Sequence, residues 1–266
     1  MNRLRSVAIQ FTVLIAFQAA LISNASAQAE PAIDPKADQS FRAMSDTLSN
    51  AQAFSFRAEV CRDLVLAYGH KVQLSMTREM MLLRPGCIRG SNEGDLDRID
   101  YWLNDGKMSV LDRDHGIYAQ LETPETIDET LDMLAFEYGL VVPLADFLVT
   151  NPYESAMANV DYASYAGLHR VRGVACHHLI FRQPGLDWQL WIDAGQRALP
   201  VRMVINFTDQ PHSPQWMADF YDWNLNPNLP EDVFTFEVPE GMREVAFQEI
   251  INNAPEVETG QSETPR

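Results

Sequence analysis

Cys176, His177 and His178 form a compact group of metal-ligating side chains in this 266-residue chain. The apolar alternation around them predicts a β-strand, in which successive side chains point to opposite faces of the sheet. Only Cys176 and His178 would then share a face, and no Cys-x-x-Cys or His-x-x-x-His pair accompanies them. We therefore expect no metal site here, and a structural histidine with a satisfied hydrogen bond is the simpler interpretation.

Carboxylates also cluster, at Asp95, Asp97 and Asp100 and again at Asp128 and Glu129. The first group lacks the glycine and the closing glutamate of an EF-hand loop, so we expect a solvated acidic turn. The second group falls in the first turn of a predicted helix, where acidic side chains stabilise the N-terminus. No Gly-x-Ser-x-Gly motif occurs and no acid–base pair can be nominated. We expect a binding protein without catalytic residues or cofactor, rather than an enzyme.

Residues 1–27 have the layout of a cleaved secretory signal. Two arginines give a basic start, Val7–Ile22 is an apolar run, and residues 25–27 are small. The run is short and has no stop-transfer flank, so a retained membrane anchor is the weaker alternative. The residue after the expected cleavage point is Gln28 rather than cysteine, which argues against a lipid anchor. The sequence predicts a secreted, soluble protein of the periplasm.

The composition is strongly acidic, with 37 Asp and Glu residues against 20 Lys and Arg and a formal net charge of −17. Loss of the two arginines in the signal makes the mature chain more negative still. Binding to nucleic acid requires clustered Lys and Arg, as does adhesion to anionic lipid headgroups. The charge therefore argues against both partners, and it also favours solubility.

Three cysteines are present in the chain. Export implies an oxidising compartment, in which a disulfide can form. Cys61 and Cys87 lie on or beside successive predicted strands, so we favour a disulfide between them. Cys176 lies in an apolar stretch and would remain as a buried free thiol.

Hydrophobic periodicity divides the chain into helical and strand-forming parts. A first helix is predicted by apolar residues at three-to-four spacing, namely Phe41, Met44, Leu48 and Ala51. From residue 54 to residue 121 the period changes to two, with turn signals such as Asn104-Asp105-Gly106 between the runs. This pattern predicts an antiparallel meander of short strands.

A helical stretch then interrupts the strands over residues 124–160, and strands resume after Tyr162. The helical stretch carries an apolar stripe made of Ile127, Leu131, Leu134 and Tyr138. The later strands carry large apolar side chains at alternate positions, namely Leu179, Phe181, Trp188, Leu190, Met203, Ile205, Trp216 and Phe220. Alternation predicts that these side chains are buried, but it leaves open whether they contact a helix or a ligand. Residues 246–266 are acidic and polar, so we predict a disordered tail.

The order of helix, meander, helical insert and second meander resembles that of the periplasmic Lol-type lipoprotein carriers, the LolA/LolB-like superfamily. Four local patterns carry this resemblance. Arg84-Pro85-Gly86 is similar to their Arg-Pro turn, and Asp105-Gly106-Lys107 is similar to a hairpin that follows it. Trp191-Ile192-Asp193 is similar to their late hairpin, and Phe234–Gly241 is similar to their C-terminal strand.

A second resemblance is closer. Cys176–Arg182, followed by Asp187–Ile192, is similar to a family of predicted periplasmic proteins of unknown function within the same superfamily. The likeness spans residues 35–245, which we take as one domain.

The resemblance implies a mainly β (α+β) domain, built as an unclosed antiparallel half-barrel. An N-terminal helix and the helical insert would cover its concave face. It also implies non-covalent binding or carriage of a lipid or lipoprotein acyl chain. We expect the eight large side chains of the later strands to line the cavity, with the Ile127–Tyr138 helix as its lid. In the alternative, the same concave face serves as a protein-interaction or envelope-sensing module, because a fold does not fix a function.

Overall fold

The computed structural model describes residues 32–95, 97–140, 144–230 and 232–253. The predicted signal peptide, residues 1–27, lies outside this part of the chain, as do residues 254–266 of the predicted tail. The helices in the described part are α1 (Pro35–Ser49), α2 (Ile127–Tyr138), α3 (Ala145–Leu148), α4 (Pro152–Met157) and α5 (Phe247–Asn253). The strands are β1 (Ala53–Val65), β2 (Lys71–Leu83), β3 (Cys87–Gly94), β4 (Arg98–Asn104), β5 (Lys107–Asp112), β6 (Ile117–Glu122), β7 (Tyr162–Val171), β8 (Val174–Gln183), β9 (Leu186–Asp193), β10 (Pro200–Phe207), β11 (Gln215–Asn224) and β12 (Arg243–Glu244).

These strands form one sheet in the order β12-β6-β5-β4-β3-β2-β1-β11-β10-β9-β8-β7. Neighbouring strands run antiparallel, except that the two residues of β12 pair in parallel with β6. Within the described residues the terminal strands β12 and β7 do not pair with each other, so the sheet is unclosed. The prediction of a mainly β fold with an unclosed antiparallel sheet is therefore confirmed.

Helix α1 covers one half of the sheet. Asp34 caps its N-terminus by accepting a hydrogen bond from the Lys36 amide at 2.7 Å, and Pro35 occupies the first turn. Its buried stripe packs on the face of β7–β9 that carries Phe181, which we call the inner face. The Phe41 ring lies 5.5 Å from the Phe181 ring between centroids, so aromatic packing fixes the helix to the sheet.

The Arg84 side chain joins two helices to the β2–β3 turn. Its guanidinium donates hydrogen bonds of 3.0 Å to the carbonyl oxygens of Leu148 and Val149, at the C-terminus of α3. A longer contact of 3.5 Å reaches the Leu48 carbonyl near the end of α1. The last carbonyls of a helix have no partner within it, and a cation complements their partial negative charge. Arg84 therefore contacts backbone carbonyl groups at the C-terminal ends of both α1 and α3.

The two residues after Arg84, Pro85 and Gly86, fix the position of α2. The Pro85 carbonyl accepts a hydrogen bond of 2.9 Å from the amide of Ile127, the first residue of α2. Gly86 lies against the chain that leads into α2, since a β-carbon there would be 2.1 Å from the Glu125 carbonyl oxygen. Only glycine permits this approach. The turn that carried the family resemblance is therefore a junction of α1, α2 and α3.

The predicted Cys61–Cys87 disulfide is wrong, because all three cysteines are free. Cys61 lies opposite Ser75 on β2, whereas Cys87 lies opposite Leu83 at the far end of that strand. At about 3.3 Å per residue the two positions are about 26 Å apart along the strand, while a disulfide needs Cα atoms within about 7 Å.

The C-terminal part of the chain differs from the prediction in two places. The segment Phe234–Gly241 is not a strand, although the Phe236 ring packs 4.9 Å from the Trp102 ring on the outer face of the sheet. Residues 247–253, which fell within the predicted disordered tail 246–266, form α5 instead. Phe247 and Ile250 are buried, and this apolar contact stabilises the helix.

Candidate functional site

A cavity of about 280 Å³ lies on the inner face of β2–β5, beneath α2 and α5. Its apolar lining comes from Met80, Ile88, Ile99, Tyr101, Leu103, Met108, Val110, Leu131, Leu134, Leu140, Leu148, Phe247, Ile250 and Ile251. Four polar residues complete the lining, namely Arg78, Asn92, Asp97 and Thr130. A partly open cavity with an almost wholly apolar wall suits the non-polar part of a small molecule.

Strand register explains the sheet side of this wall. Met80, Gly90, Tyr101 and Val110 lie opposite one another across β2, β3, β4 and β5, so they form one row on the inner face. A β-carbon on Gly90 would lie 2.2 Å from the Tyr101 ring, so the glycine allows that ring to lie against β3. Burial raises the pKa of the Tyr101 phenol, which keeps it protonated.

Helix α2 forms the opposite side of the cavity. Thr126 caps its N-terminus by accepting a hydrogen bond from the Glu129 amide at 3.2 Å. The Asp128 carboxylate accepts hydrogen bonds of 3.0 and 3.1 Å from the Thr150 amide, which ties α2 to the segment before α4. The first turn of α2 is thus closed by its own cap and fixed to the rest of the domain through Asp128.

The structure separates the four predicted lid residues into two groups. Leu131 and Leu134 line the cavity. Ile127 is fully buried in the main core, and the Tyr138 ring lies 5.1 Å from the Phe247 ring of α5. Two of the four residues therefore face the cavity, and the other two attach α2 to the core and to α5.

The eight residues predicted to line a ligand site are all buried, and they share one core cluster. Phe181 and Trp188 stack at 3.8 Å, and Phe41 of α1 packs against both rings. Of the eight, Trp188, Met203 and Ile205 reach a smaller cavity of about 150 Å³ beside α3 and α4. None of the eight lines the 280 Å³ cavity, because α1 fills their half of the inner face.

His178 lies on the outer face, away from both cavities. Its Nδ1 is 2.8 Å from the Nδ1 of His169, its Nε2 is 3.0 Å from the Oε1 of Gln189, and its ring stacks on Trp191 at 4.0 Å. Burial lowers the pKa of His178. Among the described residues no three His, Cys, Asp or Glu side chains are grouped so as to hold a metal ion.

The family of proteins described as "Predicted periplasmic protein (DUF2092)" matches residues 37–248. The chain belongs to this family. The resemblance to a family of predicted periplasmic proteins is thereby confirmed, and the expected periplasmic location agrees with the family's description. None of the helices in the described ranges is long and apolar enough to cross a bilayer.

No curated protein matches the chain. Among solved structures, the lipoprotein LppX of Mycobacterium tuberculosis is similar with a TM-score of 0.46 and 12% identity, covering 74% of this chain and 100% of that one. LprF of Mycobacterium bovis gives a TM-score of 0.46 and 14% identity, with 75% and 98% covered. A LolA superfamily protein of Nitrosomonas europaea gives 0.37 and 10%, with 75% and 97% covered.

Proposed function

We propose that this periplasmic protein binds one alkyl chain of a lipid or lipoprotein, without covalent chemistry, in the cavity beneath α2. The observation that carries the proposal is the nearly continuous apolar wall around about 280 Å³. Transfer of an alkyl chain from water into such a wall is favourable and needs no specific polar contact. The proposed binding site therefore lies on the inner face of β2–β5, and not among the eight residues predicted on the later strands.

The size of the cavity limits the ligand. A cavity of about 150 Å³ can hold one benzene molecule, so 280 Å³ surrounds about eleven carbon atoms, and the rest of a larger ligand would extend through the open side of the cavity. That space fits a single chain and excludes full burial of two or three long acyl chains. Burial of ten methylenes contributes about 8 kcal/mol before ordering costs, which favours affinities in the micromolar range or weaker.

A substitution that fills the cavity tests this proposal. Leu131 is half-buried on α2 and faces the cavity, so Leu131→Trp should place an indole in the space that the alkyl chain needs. We expect the affinity for the neutral fluorescent probe N-phenyl-1-naphthylamine to fall by about tenfold or more. The measurement is a fluorescence titration of the purified protein, with native mass spectrometry for lipids that co-purify.

Leu168→Trp is the matched control. Leu168 is 62% exposed on the edge strand β7 and lines neither cavity. This variant should bind the probe as the unaltered protein does. Equal affinity for the Leu131 variant, or no probe binding and no co-purifying lipid with the unaltered protein, would contradict the proposal.

A further inference from the structure

One end of the 280 Å³ cavity is polar. Arg78 on β2 lies opposite Asn92 on β3, and its Nε donates a hydrogen bond of 2.8 Å to the Asn92 Oδ1. Asp97 lies between β3 and β4 and also lines the cavity. The one other polar lining residue, Thr130, already donates its hydroxyl to the Pro124 carbonyl at 3.2 Å, so a bound amphiphile would place its head group beside these three side chains.

The Asp97 carboxyl group is unusual within this polar end. Its Oδ1 atom is buried and has no hydrogen-bond partner in the described part of the chain. Burial raises the pKa of Asp97, the nearby Asp112 and Asp114 add to the rise, and Arg62 and Arg78 oppose it. A buried acceptor without a donor is costly, and buried polar groups in proteins are normally satisfied. A ligand that brings a donor would remove this cost.

We propose that the polar end selects an uncharged, hydroxyl-bearing head group on a single alkyl chain, with the Asp97 carboxyl accepting a hydrogen bond from the hydroxyl. This inference rests on the proposed function, because it requires an alkyl chain in the cavity. A carboxylate head group would be attracted by Arg78, but it would face Asp97 as a like charge and would bring no donor to the unpartnered Oδ1 atom. A quaternary ammonium head group would bring no hydrogen-bond donor. Monoacylglycerols and long-chain alcohols share the required chemistry.

Two ligands with the same ten-carbon acyl chain test the inference. At pH 8, 1-decanoylglycerol should displace N-phenyl-1-naphthylamine from the protein with about tenfold higher affinity than decanoate, since only the former offers a donor without adding a charge. Equal affinities of the two ligands would overturn the inference.

Two variants separate the contributions of charge and hydrogen bonding. Asp97→Asn keeps an acceptor but removes the charge, so decanoate should gain about tenfold while 1-decanoylglycerol stays within about threefold. Asp97→Leu removes the acceptor, so 1-decanoylglycerol should lose about tenfold. Asp105→Asn, in the exposed β4–β5 turn, is the control and should change neither affinity. A ratio of the two affinities that is the same in the unaltered protein and in Asp97→Asn would contradict the role of Asp97.

Acidification provides an independent measurement. Because burial raises the pKa of Asp97, acidification from pH 8 should protonate it before an ordinary aspartate, and the repulsion of decanoate then weakens. Decanoate should therefore bind more tightly to the unaltered protein as the pH is lowered, and the gain should be smaller in Asp97→Asn, where only the ligand titrates. If neither ligand displaces the probe at any pH, the proposed function itself fails; if both bind without discrimination, only the selectivity fails.

Discussion

Arg84→Ala should lower the free energy of unfolding by about 3 kcal/mol. Alanine removes both 3.0 Å hydrogen bonds to the Leu148 and Val149 carbonyls at the end of α3, whereas the Leu48 carbonyl of α1 keeps its 3.3 Å hydrogen bond from the Ala51 amide. Burial of the Arg84 guanidinium lowers its pKa, which shows that burying the charge has a cost. Alanine removes this cost, so the expected loss of stability is smaller than the summed contribution of the two hydrogen bonds. Equilibrium unfolding in urea measures the difference.

Arg182→Ala is the matched control for that measurement. Its guanidinium lies 3.9 Å from the Asp161 carboxylate, and both side chains are largely exposed. Exposed pairs of this kind contribute about 0–1 kcal/mol. A loss of less than 1 kcal/mol for Arg84→Ala, or equal losses for the two variants, would contradict the role of Arg84 as a junction of helices.

Phe41→Ala should cost about 3–5 kcal/mol, because it empties a fully buried position. The ring packs against Phe181, Trp188 and Tyr153 at centroid distances of 5.5, 6.0 and 5.8 Å. Its loss would leave a cavity between α1 and β8–β9, and the surrounding rings are held by too many contacts to collapse into it. Chemical denaturation with tryptophan fluorescence reports the change.

Phe136→Ala removes the same side chain from a helix where it is 92% exposed. The expected change is within about 0.5 kcal/mol, since the ring buries almost no surface. If Phe41→Ala were no more damaging than Phe136→Ala, aromatic packing between α1 and the sheet would not be what holds that helix in place.

The strands were predictable because their side chains alternate. Phe54 and Phe56 on β1, and Ile99, Tyr101 and Leu103 on β4, point to the inner face as a period of two requires. The same alternation predicted the burial of Trp188, Phe220 and the six other residues first assigned to a ligand. Local periodicity depends only on neighbouring residues, so it can be recognised in a single sequence.

The location of the cavity was not predictable from that periodicity. Both halves of the sheet present large apolar side chains, and the difference arises because α1 fills the half around Phe181 while α2 and α5 leave space over Tyr101. Placement of a helix over one half of a sheet depends on long-range contacts, such as those of Arg84 with Leu48 and Leu148. The Gly90 position opposite Tyr101 was the one local signal, because a glycine within a strand often marks a close approach.

The predictions for the C-terminal region were wrong for a related reason. Phe234 and Phe236 have the spacing of a strand, but Phe236 packs across the outer face, on the rings of Trp102 and Tyr118, instead of joining a ladder. Phe247 and Ile250 lie within a polar stretch, and their burial depends on the inner-face surface that β6 and α2 provide. A short apolar motif in polar surroundings carries little information until its partner surface is known.

Helix α5 has a consequence for how the family could diversify. The family match ends at residue 248, yet Ile250 and Ile251 beyond it contribute to the cavity wall. Part of the cavity wall is thus supplied by residues beyond the family match. Substitutions at these residues would change how long an alkyl chain fits, while the sheet and its junction of helices stay unchanged.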